Sequence, residues 1–152
     1  MLLHLSINAA DPEGVAGFLA GLLGGNAMPF PPFEGSWIAF SAADDGTAIE
    51  VYPLGHRLRA GPDQTSCIPG TADDRPSFVH AAIASPLAEQ AIRALAEERG
   101  WLNRRCNRGP FDCIEVWLEN RLLVEVLDAS MLADYRAGMT QGNWVAMFGL
   151  ER

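Results

Sequence analysis

The stretch Leu-Leu-His-Leu-Ser-Ile-Asn at residues 2–8 has a counterpart in Phe-Val-His-Ala-Ala-Ile at residues 78–83. In the first copy, apolar residues alternate with polar ones, which is the pattern of a half-buried β-strand. His4 and His80 lie 76 residues apart, which is half the length of the 152-residue chain. The sequence therefore predicts one structural unit that occurs twice.

The same kind of helix is predicted after each of these strands. Asp11-Pro12 and Ser85-Pro86 each combine a helix-capping residue with a proline suited to the first turn. Apolar residues then recur at helical spacing until glycine ends the segment, at Gly24-Gly25 in the first copy and Gly100 in the second.

Further strands follow each helix. The stronger predictions are Trp37–Ser41, Ala48–Pro53, Cys113–Leu118 and Leu122–Leu127, and the weaker ones are 26–30 and 101–107. Each half thus reads as β-α-β-β-β. We expect an α+β protein in which two βαβββ modules form a curved mixed sheet around a cup-shaped cavity.

The expected division of the chain follows from this repeat. Residues 1–54 form the first module and residues 77–139 the second. Residues 55–76 show no clear periodicity and are interpreted as a linker loop. Residues 140–152 are a C-terminal segment, which is apolar enough that we expect it to pack on the sheet or on a second subunit.

Two glutamates stand inside apolar strands at matching places in the two halves. Glu50 and Glu125 each lie between β-branched or aliphatic neighbours, so their side chains point away from the core face. A buried acid or histidine is costly unless its polar group is satisfied. His4, Glu50, His80 and Glu125 can satisfy one another through one divalent cation, and Ni, Co, Fe, Mn and Zn are all compatible.

The sequence resembles the glyoxalase I / vicinal-oxygen-chelate superfamily, which includes bleomycin-resistance proteins and extradiol dioxygenases. The resemblance covers most of the chain. Its carriers are Leu-Leu-His-Leu (2–5), Phe-Leu-Ala-Gly-Leu-Leu-Gly-Gly (18–25), Ala-Ile-Glu-Val-Tyr (48–52), Phe-Val-His-Ala-Ala-Ile (78–83) and Leu-Val-Glu-Val-Leu (123–127).

The resemblance implies a metal-dependent lyase or isomerase that works through a metal-stabilised enediolate. His4, Glu50, His80 and Glu125 would be the metal ligands, with Glu125 as the catalytic base and Glu50 opposite it. One alternative is a single-domain extradiol-type dioxygenase, which would use His4, His80 and Glu125. The other is a non-catalytic small-molecule-binding protein like the bleomycin-resistance proteins, in which the same cup needs no metal.

The net charge of −8 argues against nucleic-acid binding, which relies on basic surfaces. No apolar run is long enough to span a membrane, and no signal peptide is evident. We therefore expect a cytoplasmic protein, a homodimer, with a small molecule as substrate or ligand.

Two smaller groups of residues leave their roles open. Arg104, Arg105 and Arg108 form the one basic cluster, which is either a clamp for a substrate carboxylate or phosphate or a solvated loop. Cys106 and Cys113 can face each other across a hairpin, but the chain's three cysteines are interpreted as small buried hydrophobes.

Overall fold

A computed structural model describes residues 4–43, 45–60, 65–71 and 80–149 of the chain. The chain divides into two compact units, residues 1–77 and 78–152, and each unit holds one copy of the repeat. The first residues of both predicted leading strands, 2–3 and 77–79, lie outside the described residues, as does Asp44 in the predicted turn.

The first module has the predicted order of elements. They are β1 (His4–Ala9), α1 (Pro12–Leu22), β2 (Ala27–Pro29), β3 (Trp37–Phe40) and β4 (Ala48–Pro53). The strands form a four-stranded sheet in the order β1-β4-β3-β2, in which β1 runs parallel to β4 and the other pairs are antiparallel. The sheet is therefore mixed, as expected.

Helix α1 packs against this sheet and supplies most of the module's core. It begins after Asp11, whose carboxylate accepts a hydrogen bond from the backbone N–H of Gly14 at 2.9 Å. Phe18, Leu19 and Leu22 are completely buried. Burial of side chains this large stabilises the fold by roughly 1.5–3 kcal/mol each.

The segment between the modules contains a hairpin that the sequence did not predict. Strands β5 (His56–Ala60) and β6 (Thr65–Pro69) pair antiparallel with each other and with no other strand of the described residues. The linker loop predicted for residues 55–76 thus contains a hairpin. The polar–apolar alternation in this hairpin is confined to residues 57–60, which is too short a run to predict a strand against the surrounding prolines and glycines.

The second module repeats the architecture of the first. It comprises β7 (Ala81–Ala84), α2 (Glu89–Glu97), β8 (Asn103–Asn107), β9 (Asp112–Leu118) and β10 (Leu122–Leu127). The sheet order β7-β10-β9-β8 matches that of the first module, with β7 again parallel to its neighbour β10. The duplicated βαβββ fold is thus confirmed.

The start of α2 differs from the prediction. The N-cap is Ala88, which makes no side-chain capping bond, whereas Ser85 accepts a hydrogen bond from the backbone of Leu87 at 3.2 Å. Ser85 and Pro86 thus form a turn before the helix. The predicted stop is confirmed, because Gly100 has φ of 68°, a conformation that glycine adopts at no steric cost.

Two helices follow β10, namely α3 (Ala129–Gly138) and α4 (Gln141–Phe148). Asp128 caps α3 by accepting hydrogen bonds from the backbone of Ser130 and Met131. Within the described residues α4 buries none of its side chains, and Trp144, Met147 and Phe148 are about half exposed. The predicted packing of residues 140–152 on the sheet or on a second subunit stays a prediction.

None of the helices in the described ranges has both the length and the apolar character needed to cross a membrane.

Candidate functional site

One face of the first sheet carries polar side chains, and the other faces α1. On β1, His4, Ser6 and Asn8 alternate with the apolar residues. The register places Ser6 opposite Glu50 on β4. Residues opposite each other on paired strands share a face, so these side chains form one surface, which we call the first polar face. The predicted orientation of His4 and Glu50 away from the core is consistent with this arrangement.

Glu50 is held by two hydroxyl groups. Its Oε2 accepts hydrogen bonds from Ser6 Oγ at 2.7 Å and from Tyr52 Oη at 3.0 Å. Both donors are neutral, so among the described residues the carboxylate is oriented without being part of an ion pair. His4 is exposed at the start of β1, two residues before Ser6.

Aromatic rings fix the position of Tyr52. Its ring meets that of Phe30 edge-on, with centroids 5.9 Å apart, and that of Phe33 at 5.4 Å. Phe33 in turn contacts His56, with ring centroids 5.0 Å apart. Edge-to-face contacts at these distances are favourable, so this cluster pre-orients the hydroxyl that binds Glu50.

The second module contains the same relationship between a histidine and a glutamate. Glu125 on β10 lies opposite Ala82 on β7, and His80 stands two residues before Ala82. In the first module, Glu50 lies opposite Ser6 and His4 stands two residues before it. We call this offset placement of a histidine and a glutamate the His–Glu diagonal. It occurs at equivalent positions in both modules, although the residue opposite the glutamate is Ser6 in the first and Ala82 in the second.

Glu125 is bound by an arginine. Arg108 Nε donates to Glu125 Oε1 at 2.7 Å, and Arg108 Nη2 donates to Glu115 Oε1 at 2.5 Å. Glu115 also accepts from Arg104 Nε at 2.6 Å through its other oxygen. We call these four residues the arginine–glutamate network. It covers the polar face of the second sheet, since Glu115 lies opposite both Glu125 on β10 and Arg104 on β8.

The network contains two almost fully buried carboxylates. The side chain of Glu115 is 6% exposed and that of Glu125 is 11% exposed. Burial acts to raise the pKa of Glu115, but hydrogen bonds from Arg108 and Arg104 outweigh it, so its pKa lies below the ordinary value. The hydrogen bond to Glu115 likewise raises the pKa of Arg108. Both residues are thus held in their charged forms.

The structure pairs each of the three clustered arginines with a carboxylate. Arg105 points to the opposite face from Arg104, where it binds Asp112 at 2.6 Å and Glu89 of α2 at 2.9 Å. These bonds tie the hairpin of β8 and β9 to the helix. Arg105 therefore lies apart from Arg104 and Arg108, and a role of these arginines in substrate binding stays a prediction.

Glu115 is the network residue that the sequence reasoning missed. It lies between Ile114 and Val116 in a strand that was correctly predicted. This is the same signal that singled out Glu50 and Glu125. An acid inside an apolar run is expected to face away from the core. This rule would have identified Glu115 if it had been applied to every strand.

Each module thus places one glutamate on its polar face, with a histidine two residues before the residue opposite that glutamate. Among the residues that the structure describes, no three His, Cys, Asp or Glu side chains cluster closely enough to form a metal site. The shared four-residue site proposed from sequence therefore stays a prediction, because it draws on both modules.

Comparison with known proteins gives a structural likeness only. No protein-family model matches the sequence, and no curated protein is significantly similar to it. Among solved structures, a possible glyoxalase from Bacillus cereus is 17% identical with a TM-score of 0.52, covering 83% of this chain and 96% of its own. The chain has the vicinal-oxygen-chelate fold.

Other structures with this fold support the same conclusion. The fosfomycin resistance protein FosX of Listeria monocytogenes is 13% identical, with a TM-score of 0.54 over 88% of this chain and 96% of its own. The trypanothione-dependent glyoxalase I of Leishmania major is 12% identical, with a TM-score of 0.52 over 98% and 97%. The resemblance seen in the sequence is therefore confirmed at the level of the vicinal-oxygen-chelate fold. Because this fold supports several activities, the reaction must be argued from the site.

Proposed function

We propose that the protein is a metal-dependent lyase or isomerase of the glyoxalase I-like type that acts on a small substrate. The observation that carries the proposal is the repeated diagonal between His4 and Glu50 and between His80 and Glu125. Core packing does not require the two glutamates, because Glu50 and Glu125 lie on the face of the sheet turned away from the module's helix, and both histidines are exposed. A shared role in ligand binding accounts for their repetition.

The donor set fits a divalent ion. Two imidazoles and two carboxylates suit Ni, Co, Fe, Mn or Zn. The hydrogen bonds described for Glu50 use Oε2, and those for Glu125 use Oε1. Metal-binding carboxylates are commonly oriented by such outer hydrogen bonds on one oxygen. An ion bound by these residues would supply a Lewis acid that stabilises negative charge on a substrate oxygen.

The hydrogen-bond partners of the two glutamates differ, and they favour a different role for each. Glu50 accepts hydrogen bonds from neutral hydroxyls, so it can take a proton without breaking an ion pair. Glu125 faces the guanidinium of Arg108, and protonating it would break that pair. We therefore propose Glu50 as the general base and Glu125 as an anchoring residue, which exchanges the roles implied by the family resemblance.

Metal analysis of the untagged protein tests this function. After loading with each candidate metal and desalting, plasma mass spectrometry should find about one ion per chain in the parent. His4→Ala and Glu125→Gln should lower this ratio at least tenfold, whereas the control Glu13→Gln, at an exposed position of helix α1, should not. A parent that binds no metal, or variants that bind as much as the parent, would remove the proposal. Hemithioacetals and other small carbonyl compounds are the first substrates to screen.

A second candidate function is favoured by the Arg108–Glu125 ion pair. If Arg108 takes the place of the metal, the protein is a non-catalytic small-molecule-binding module like the bleomycin-resistance proteins. Arg108→Met would then create metal binding that the parent lacks, since it would leave Glu125 without its cation. Under the enzyme proposal, the parent itself binds the metal, so the same two samples separate the candidates.

We also propose that the protein is a cytoplasmic homodimer. The half-exposed side chains of Trp144, Met147 and Phe148 on α4 support an association surface, because large apolar residues are seldom left clustered in water. Light scattering coupled to size-exclusion chromatography should give twice the chain mass of 16.4 kDa. A single-chain mass at micromolar concentration would contradict the dimer.

A further inference from the structure

Cys106 and Cys113 stand directly opposite each other on β8 and β9. Both are reduced in the structure; Cys113 is completely buried, and Cys106 is partly exposed. Residues in direct register on antiparallel strands point to the same face of the sheet. The two thiols therefore share the face that carries the arginine–glutamate network.

The hydrogen-bond pattern of this hairpin fixes the spacing of the pair. Arg108 N donates to Phe111 O at 2.8 Å, and Trp117 N donates to Leu102 O at 2.9 Å. Hydrogen-bonded and non-hydrogen-bonded pairs alternate along an antiparallel ladder. Cys106 and Cys113 stand two pairs away from Arg108 and Phe111, so they too are a hydrogen-bonded pair, with Cα atoms about 5.5 Å apart. Disulfides span Cα separations of about 4.4–6.8 Å, so the backbone spacing of the pair lies within range. The Cβ atoms of such a pair lie up to about 5.5 Å apart, against about 3.5–4.5 Å in a disulfide, so the two strands must move slightly closer as the bond forms.

We infer that Cys106 and Cys113 are a redox-modification site, at which a small-molecule disulfide such as oxidised glutathione converts the two thiols into a cross-strand disulfide. The bond closes the hairpin whose loop carries Arg108. This site lies beyond the proposed lyase activity and does not depend on it.

The two cysteines have different parts in the exchange. The partly exposed Cys106 attacks one sulfur of the small disulfide, forms a mixed disulfide and releases one small thiol. Cys113 then attacks Sγ of Cys106 and releases the second small thiol. Two protein thiols are oxidised, one small disulfide is reduced, and the two thiol protons pass to the released thiols. Burial raises the pKa of Cys113 to about 11, which disfavours the thiolate that this second step needs.

Intact mass spectrometry and peptide mapping test the inference on the full chain. The background variant is Cys67→Ser, so that only the cross-strand pair can react. Incubation with excess oxidised glutathione should leave a product lighter by two hydrogen atoms. Trypsin cleaves after Arg105, Arg108 and Arg121. The peptides 106–108 and 109–121 should therefore remain linked until a reductant is added.

Two matched variants control the experiment. Cys67→Ser/Cys113→Ser should accumulate the glutathione adduct on Cys106, and Cys67→Ser/Cys106→Ser should show no loss of hydrogen. Circular dichroism checks that both variants remain folded. The inference is overturned if the Cys67→Ser protein stays fully reduced, retains a stable glutathione adduct, or forms only cross-links between chains.

Discussion

Glu115 and Glu125 lie directly opposite each other on adjacent antiparallel strands, and both are almost fully buried. Two like charges in this position repel each other, and each loses its hydration. Arg108 resolves the conflict by binding both carboxylates through different nitrogens of one guanidinium. Arg108 thus bridges the two carboxylates, while Arg104 binds Glu115 alone.

Replacing Arg108 should damage the fold more than replacing Arg104. Arg108→Met leaves two buried carboxylates facing each other and should lower the free energy of unfolding by about 3–5 kcal/mol. Arg104 is 58% exposed, and Glu115 keeps Arg108 when Arg104 is lost, so Arg104→Met should lower the free energy of unfolding far less. Urea denaturation at neutral pH measures both values, and equal losses would contradict this account of the network.

The contribution of Glu115 to the stability of the fold should depend on pH. Its folded-state pKa is below the ordinary value of 4.5, so its carboxylate stabilises the fold above that pH and loses this effect as the pH falls through the folded-state value. The stability difference between parent and Glu115→Gln should therefore be largest at neutral pH and shrink below about pH 4. A difference that stays constant across this range would rule out the ionised network.

Helix α2 should gain stability from a better cap. Ala88 already has the extended backbone of an N-cap but offers no side-chain acceptor. Ala88→Asp should raise the free energy of unfolding by about 1 kcal/mol, because its carboxylate can accept from the first free N–H groups. Asp128→Ala, which removes an existing cap at α3, should lower it by a similar amount. The prediction fails if thermal melting shows no rise in the first variant while the second is destabilised.

The two histidines should matter for ligand binding and little for folding. His4 and His80 are both exposed, and neither belongs to the core. We expect His4→Ala and His80→Ala to change the free energy of unfolding by less than about 0.5 kcal/mol. Metal content, measured on the same samples, should fall. A large loss of stability in either variant would show that the histidine is structural.

Much of the fold could be predicted because it rests on local patterns. Alternation with period two gave the strands that carry Glu50 and Glu125, and capping and glycine signals gave the bounds of α1. The hairpin of β5 and β6 was not predicted from the sequence, because its apolar residues form no continuous stripe. The helices α3 and α4 were not predicted either, and the structure shows that only Met131 among their residues is buried.

The site could be predicted less completely than the fold. The alternation rule gave the direction of each glutamate, but the partner of Glu125 depends on where the loop between β8 and β9 returns Arg108. That position follows from strand register and turn geometry, which the composition of the loop does not specify. The diagonal between His4 and Glu50 likewise depends on register, so only the structure could reveal that both modules repeat it.

The parallel pairing of the first strand in each module has a consequence for the order of folding. Ser6 and Glu50 are 44 residues apart, whereas Arg108 and Glu125 are 17 apart and belong to one meander of adjacent strands. Closing the longer loop costs more entropy, so contacts within the meander form first. We therefore expect the arginine–glutamate network to form before β7 pairs with β10. The first polar face forms only when β1 pairs with β4. Pulsed hydrogen exchange should find the amides of β9 and β10 protected earlier than those of β1.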